Sequence, residues 1–245
     1  MRLGLVVRNV ADMVDSPSPQ HKEIQPFGPE QMTIFLETAE ENRLYALYCL
    51  AIGTGMRQSE LLGLTWPDVD FEAGVVRIRQ QLVWSPKRGF SFSEPKTAKG
   101  RRSIALPAFA LEALRQHRRA QLQERLALGP AWEDNGLVFP NAICKPMDRG
   151  NLVRRSFHPL LAKAGLPRIR FHDLRHTAAT LLFSQGENPK VVQERLGHAT
   201  VGMTLDVYSH VLPNLQRQAA AKLDALFKVQ SESEGVNEGV SPLAR

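Results

Sequence analysis

Val76-Arg77-Ile78-Arg79-Gln80-Gln81-Leu82-Val83 is the stretch on which the fold class turns. Val76, Ile78, Gln80 and Leu82 alternate with Arg77, Arg79, Gln81 and Val83, the period of a strand with one basic face. Phe90-Ser91-Phe92-Ser93 and Arg102-Ser103-Ile104-Ala105-Leu106 read as two further strands, and together the three predict one antiparallel sheet. Lys96-Thr97-Ala98-Lys99-Gly100 is then the turn between the last two strands, with glycine supplying permissive backbone.

Outward from this segment the pattern is helical. Upstream, Pro29 and Glu30 suit a first turn, and Met32, Phe35, Leu36 and Ala39 recur at helical spacing. A second helix runs from about Arg43 to Gly53; it is apolar on every side, which predicts a buried central helix holding Tyr45 and Tyr48 as core aromatics. Gly53 and Gly55 are its stop signals, Gln58 to Gly63 is a further short helix, and Trp66-Pro67-Asp68 ends it. Downstream of Pro107, helices are expected over about 108–128, 148–164, 173–185, 189–196, 200–210 and 213–227. The chain divides into residues 1–22, with a linker-like Ser16-Pro17-Ser18-Pro19 run, a domain over 23–228, and a disordered tail over 229–245.

The 245 residues are 43% hydrophobic and 23% charged, ordinary values for a globular protein. The longest apolar run, Leu44 to Ile52, is only half of the ~18 residues a membrane span needs, and Leu3-Gly4-Leu5-Val6-Val7 is too short for a secretory core. No membrane association and a cytoplasmic location are therefore expected. Cys49 and Cys144 are too few for a disulfide framework and read as reduced thiols. A net charge of +6 favours a polyanionic partner. It is concentrated: Arg77, Arg79, Lys87, Arg88, Lys96, Lys99, Arg101 and Arg102 face a single acid, Glu94, within the strand segment, where they are positioned to meet phosphates.

Reactive side chains cluster in Phe171-His172-Asp173-Leu174-Arg175-His176-Thr177 at a helix start. Positions three and four apart share a helix face, so His172, Arg175 and His176 point broadly the same way. The string also scans as His-Asp-x-x-His, one methylene from a zinc-protease motif. That reading fails because the Arg175 guanidinium would sit against the dication and no clear third ligand follows. Arginine beside histidine suits a phosphodiester: the guanidinium holds nonbridging oxygens while an imidazole moves a proton. Further on come Leu196-Gly197-His198 and Val207-Tyr208-Ser209-His210.

Taken with Gly53-x-Gly55-Met56-Arg57-Gln58-Ser59-Glu60-Leu61-Leu62-Gly63-Leu64-x-Trp66, these strings resemble the tyrosine recombinases of the phage integrase family, in order and spacing, from about Pro26 to Phe227. The resemblance implies an α+β fold of the DNA breaking-rejoining type: a mainly helical catalytic domain with a small three-stranded antiparallel sheet. It places the family's catalytic positions on Arg57, Lys96, His172, Arg175, His198 and Tyr208, with Lys99 as an alternative to Lys96 in the same turn. Tyr208 would be the nucleophile and His172 its proton acceptor; Arg57, Arg175 and His198 would stabilise the diester's charge, and Lys96 would protonate the leaving 5′ oxygen. Glu60, one turn from Arg57, would orient that arginine. No cofactor and no metal are implied. Double-stranded DNA and other recombinase protomers on DNA are the implied partners, with a monomer in free solution. Full-length relatives carry a core-binding domain before the catalytic one, so residues 1–22 read as the end of such a domain and its linker. Asn188 to His210 also scans as a helix-turn-helix that binds DNA without catalysis, and type IB topoisomerases use similar residues.

Overall fold

The apolar run from Leu44 to Ile52 forms the axis of the molecule. In the computed structural model, which describes residues 14, 26–95, 100–208, 219–225 and 227, the chain begins with α1 (Pro29–Ala39), α2 (Tyr45–Thr54) and α3 (Gln58–Leu62). Five short strands follow: β1 (Val69–Asp70), β2 (Val75–Ile78), β3 (Gln81–Ser85), β4 (Gly89–Ser93) and β5 (Arg102–Ala105). Then come α4 (Ala108–Leu128), α5 (Arg149–Leu152), α6 (His158–Lys163), α7 (Asp173–Ser184), α8 (Pro189–Leu196) and α9 (Val201–Tyr208). The α+β class holds. Residues 1–22 other than Val14, and 229–245, lie outside the described residues, as do 213–218 and 226 of the expected 213–227 helix; 219–225 is helical.

Helix α2 has no polar face to leave in water, so α1, α3, α4 and α7 pack around it. Ala46, Leu47, Tyr48, Cys49, Leu50 and Ala51 are all buried. Tyr48 keeps its hydroxyl satisfied against Ser156 Oγ at 2.7 Å, and its ring meets Phe35 edge-on at 5.2 Å. Tyr45 packs on the rim of the same core, and both cysteines are buried free thiols. A smaller cluster of Ala179, Phe183, Val192 and Leu196 locks α8 onto α7.

The sheet differs from the expected one. Three strands do form an antiparallel sheet, but they are β1, β2 and β5, in that order, while β3 and β4 make a separate hairpin. The single strand read over 76–83 breaks at Arg79 and Gln80. Burial keeps its period through the break, since Val76, Ile78 and Leu82 all face the core, but hydrogen-bond pairing does not. Gln80 instead donates its side-chain amide to Gly63 O at 2.9 Å, tying the break to the end of α3. The segment containing Lys96–Lys99, which is outside the described residues, therefore joins strands of two different sheets.

The helix expected over 148–164 is also modified. Asp148 caps α5, accepting from Asn151 N at 2.8 Å, and residues Val153–Phe157 form a π turn before α6. Pro159 in the first turn of α6 has no N–H for the carbonyl four residues back, and the wider turn accommodates that missing bond.

Candidate functional site

Four chain segments end at one place: the C-terminus of α2, the N-termini of α3 and α7, and the C-terminus of α8. Each brings predicted side chains or the carbonyls that hold them. Gly55 closes α2 in the left-handed region at φ +65°, where a Cβ would also meet Leu196 Cδ2 at 2.6 Å, so glycine is required on both counts. The carbonyl this turn presents is used directly: Arg175 Nη1 donates to Gly55 O at 2.8 Å. Its Nη2 donates to Leu196 O at 2.7 Å, the last residue of α8.

Arg57 is the N-cap of α3. Its Nη2 reaches Gly197 O at 3.5 Å, the carbonyl next to the one held by Arg175. Two guanidiniums from distant parts of the chain thus bracket the two residues before His198. Gly197 ends α8 in the left-handed conformation and turns the chain so that His198 follows as a loop residue, its Nδ1 at 2.8 Å from Thr204 Oγ1 on α9. In the tautomer in which the Thr204 hydroxyl donates to Nδ1, Nε2 carries the imidazole proton and is the donor offered to a ligand.

Glu60 anchors the cationic side. It is 2% exposed, and its Oε1 accepts from Arg57 Nη1 at 2.8 Å while Oε2 accepts from the Arg57 backbone N–H at 2.9 Å. Arg102, on β5, completes the pairing: Nη1 donates to Oε1 at 3.2 Å and Nη2 to Oε2 at 2.9 Å. Burial works against the charged carboxyl, and the hydrogen bonds and charges of Arg102 and then Arg57 overcome it, so Glu60 stays ionised below the ordinary range.

His172 is the N-cap of α7, and its ring meets that of His176 edge-on at 5.0 Å. Burial, then the positive charge of Arg175, lowers its pKa; the same two causes with Arg57 behind them push His198 down to about 4. His176 is likewise pushed to about 4, by burial and then by His172. The imidazoles are therefore neutral at pH 7, with His172 able to accept a proton. Asp173 is committed elsewhere, accepting from Arg170 N at 2.8 Å and Arg170 Nη2 at 2.7 Å. Among the described residues, no group of three His, Cys, Asp or Glu is arranged to hold a metal ion.

Of the six predicted residues, Arg57, His172, Arg175 and His198 converge here. The fifth, Tyr208, is described by its backbone alone; it closes α9, four residues past Thr204. The sixth, Lys96, lies outside the described residues, as does its alternative Lys99; the residues on either side, Pro95 and Gly100, pack against each other. Sequence reasoning missed Arg102 and Thr204 as parts of this arrangement. Arg102 had a signal: it lies two residues before buried Ile104, hence on the inward face of a strand.

The basic strand face has a different fate. Arg77 pairs with Asp70 at 2.8 Å, Arg79 with Asp68 at 3.4 Å and Arg101 with Glu94, so part of the expected phosphate-facing row is paired with acids. Lys87 and Arg88 sit at the exposed tip of the β3–β4 hairpin.

The phage integrase family model matches residues 25–214, which include Arg57, His172, Arg175, His198 and Tyr208. The chain belongs to the phage integrase family. Among relatives of this family, a tyrosine recombinase XerC-like protein of Caldanaerobacter subterraneus subsp. tengcongensis is 35% identical over 224 residues, covering 86% of this chain and 57% of the relative. An integrase of Streptomyces ambofaciens is 34% identical, covering 91% of this chain and 59% of the relative. The chain thus spans somewhat over half the length of these integrases. The structure of the Tn1549 transposon integrase in complex with a circular intermediate DNA superposes with a TM-score of 0.68 at 27% identity, covering 89% of this chain and 70% of that one. Among the described residues, no helix is long and apolar enough to cross a membrane.

Proposed function

We infer that residues 23–228 are the catalytic unit of a site-specific DNA recombinase that cleaves and rejoins double-stranded DNA through a 3′-phosphotyrosyl intermediate. The observation that carries this reading is the bracketing of Leu196 and Gly197 by Arg175 and Arg57, which brings two guanidiniums onto the two residues that precede His198. A phosphodiester under attack spreads extra negative charge over its nonbridging oxygens, and two fixed cations plus a neutral N–H donor stabilise that charge without a metal ion or ATP.

In this reading the Tyr208 hydroxyl attacks phosphorus and its proton passes to His172. The bond from phosphorus to the 5′ oxygen breaks, and Lys96 or Lys99 protonates that oxygen as it leaves. A 5′ hydroxyl from another strand reverses the step, releasing Tyr208. The phosphodiester bond energy is kept in the covalent intermediate throughout. The DNA complex of the Tn1549 integrase supports duplex DNA as the partner. Action on DNA is in keeping with the cytoplasmic location expected from the sequence. Residues 219–225 are helical and exposed, with Leu223 outward, which supports docking onto a neighbouring protomer on DNA; in free solution the chain is expected to be a monomer.

The test is a nicked suicide duplex carrying a candidate attachment site, with products resolved on a denaturing gel. A covalent adduct is expected from the natural chain in EDTA, and none from Tyr208→Phe. An adduct from Tyr208→Phe at the natural rate, or activity lost on chelation together with stoichiometric zinc in the protein, overturns the reading.

A further inference from the structure

We propose that Arg102 is a positioning residue that keeps the Arg57 guanidinium available to the diester by saturating Glu60, an inference that rests on the recombinase reading for its kinetic consequence but not for its geometry. Arg102 cannot itself meet a substrate in this arrangement. Only 7% of its side chain is exposed, and Nε donates to Arg195 O at 2.6 Å while Nη1 and Nη2 serve Glu60. A guanidinium has five N–H groups, and Arg102 Nη1 also donates to Gly100 O at 3.1 Å, so at least four are spent on the protein.

The consequence falls on Arg57. A buried carboxylate needs its lone pairs filled, and Glu60 takes two bonds from Arg57 and two from Arg102. Among the described residues, the Arg57 side chain gives Glu60 only one N–H, from Nη1, and the side chain stays 39% exposed. Without Arg102, the two vacated positions on Glu60 would be filled by the nearest remaining cation. Arg57 would then turn its fork onto Glu60 in a two-pronged pair, withdrawing the N–H groups that face the pocket.

Arg102 also ties three parts of the site into one body. Through Glu60 it holds the N-terminus of α3; through Arg195 O it holds the last turn of α8, just before the carbonyls that Arg57 and Arg175 bracket. Through Gly100 O it holds the stem of the segment that carries Lys96 and Lys99, where Gly100 packs on Pro95. A residue so placed acts on the reaction through geometry alone, and a misplacement on the order of 1 Å in a reacting group costs about 100-fold in rate.

The experiment compares Arg102→Gln with Arg102→Lys, which keeps the charge but loses the fork. In crystals of Arg102→Gln, the Arg57 guanidinium should be turned onto Glu60; an Arg57 unmoved from its place in the natural chain overturns the proposal, whatever the protein catalyses. In single-turnover cleavage of the suicide duplex at saturating DNA, Arg102→Gln should be slower by about 100-fold with DNA affinity unchanged, and Arg102→Lys should recover part of the rate. In an Arg57→Gln background, the further loss on adding Arg102→Gln should be under about threefold, because both changes act through the same guanidinium. Full additivity would show that Arg102 acts by another route. Failure of both variants to fold would make it a residue of stability alone, and either result removes the proposal. A natural chain that forms no adduct would instead count against the recombinase reading, with the crystallographic comparison still deciding the role of Arg102.

Discussion

The arginines around Glu60 and those on the outer strand face are the same residue type, two of them adjacent in the chain, and the protein treats them in opposite ways. In the pocket, Arg102 and Arg175 are buried and held by carbonyls and a carboxylate that is itself buried. On the outer face, Arg79 is 63% exposed and meets Asp68 at 3.4 Å, while Arg101 meets exposed Glu94. The Arg101–Glu94 pair, exposed on both sides, is worth about 0–1 kcal/mol, since solvent screens it and long side chains lose entropy to form it, whereas Arg79 reaches from solvent onto a buried Asp68. The lesson is that positive charge by itself marks neither region. Fixed geometry marks the first, because a guanidinium whose direction is set by buried acceptors loses little further order when an anion arrives.

The largest expected effect follows from that distinction. Arg57→Gln or Arg175→Gln should lower single-turnover cleavage at saturating DNA by about 10²–10³-fold, the usual cost of removing one fixed donor from a developing anion. Arg79→Gln should act on DNA affinity and leave the saturated rate in place. Equal losses of saturated rate from Arg57→Gln and Arg79→Gln would erase the comparison.

Gly55→Ala sharpens it from the backbone side. The φ of +65° and the approach of Leu196 make alanine strained there, costing on the order of 1–3 kcal/mol in chemical unfolding. Because both carbonyls that hold Arg175 lie where Gly55 meets Leu196, cleavage should fall alongside stability; a destabilised protein with an unchanged rate would show that Arg175 is not held from Gly55 and Leu196.

The hairpin tip should behave as the exposed region does. Lys87→Gln with Arg88→Gln should weaken DNA binding and reduce the slope of log affinity against log salt by about 1 for each phosphate that the variant no longer neutralises. The rate at saturating DNA should not change. An unaltered salt slope would place DNA away from the hairpin.

The smallest effect is on pH dependence. His176 and His198 have ordinary values near 6.5 and are both pushed to about 4 in the fold, by burial first and then by the neighbouring His172 and Arg175 respectively. Between these values the unfolded chain binds protons that the folded chain does not. The contribution is therefore complete above about pH 6.5 and is lost as pH falls toward 4. Thermal melts of the DNA-free protein should show Tm declining through this window, with a shallower decline in His176→Gln. Identical pH profiles for the two proteins would mean that His176 is not held neutral.

How much of this was legible in the sequence depends on the range of the interaction. The wholly apolar helix at Tyr45–Thr54 was readable because burial on all sides leaves its mark in composition. The short helix at Gln58–Leu62 and the helix opening at Asp173 were readable from local stop and start signals, and the family strings carried the positions of Arg57, His172, Arg175, His198 and Tyr208. Strand existence was readable as well, through the alternation of Val76, Ile78 and Leu82.

Tertiary structure alone decided which strands pair. Alternation records which face a side chain takes, and that face is the same whether residue 82 continues a sheet or starts a hairpin; pairing is set by which backbone groups meet, as when Gln80 bonds to Gly63. It also decided which of eight basic residues in that segment would be buried. Arg102 and Arg101 are neighbours in sequence with the same charge, yet only the first meets Glu60, 42 positions away. A charge reads as a charge in sequence, whereas its role depends on acceptors brought to it from Glu60, Gly100 and Arg195, and those distances exist only once the chain has folded.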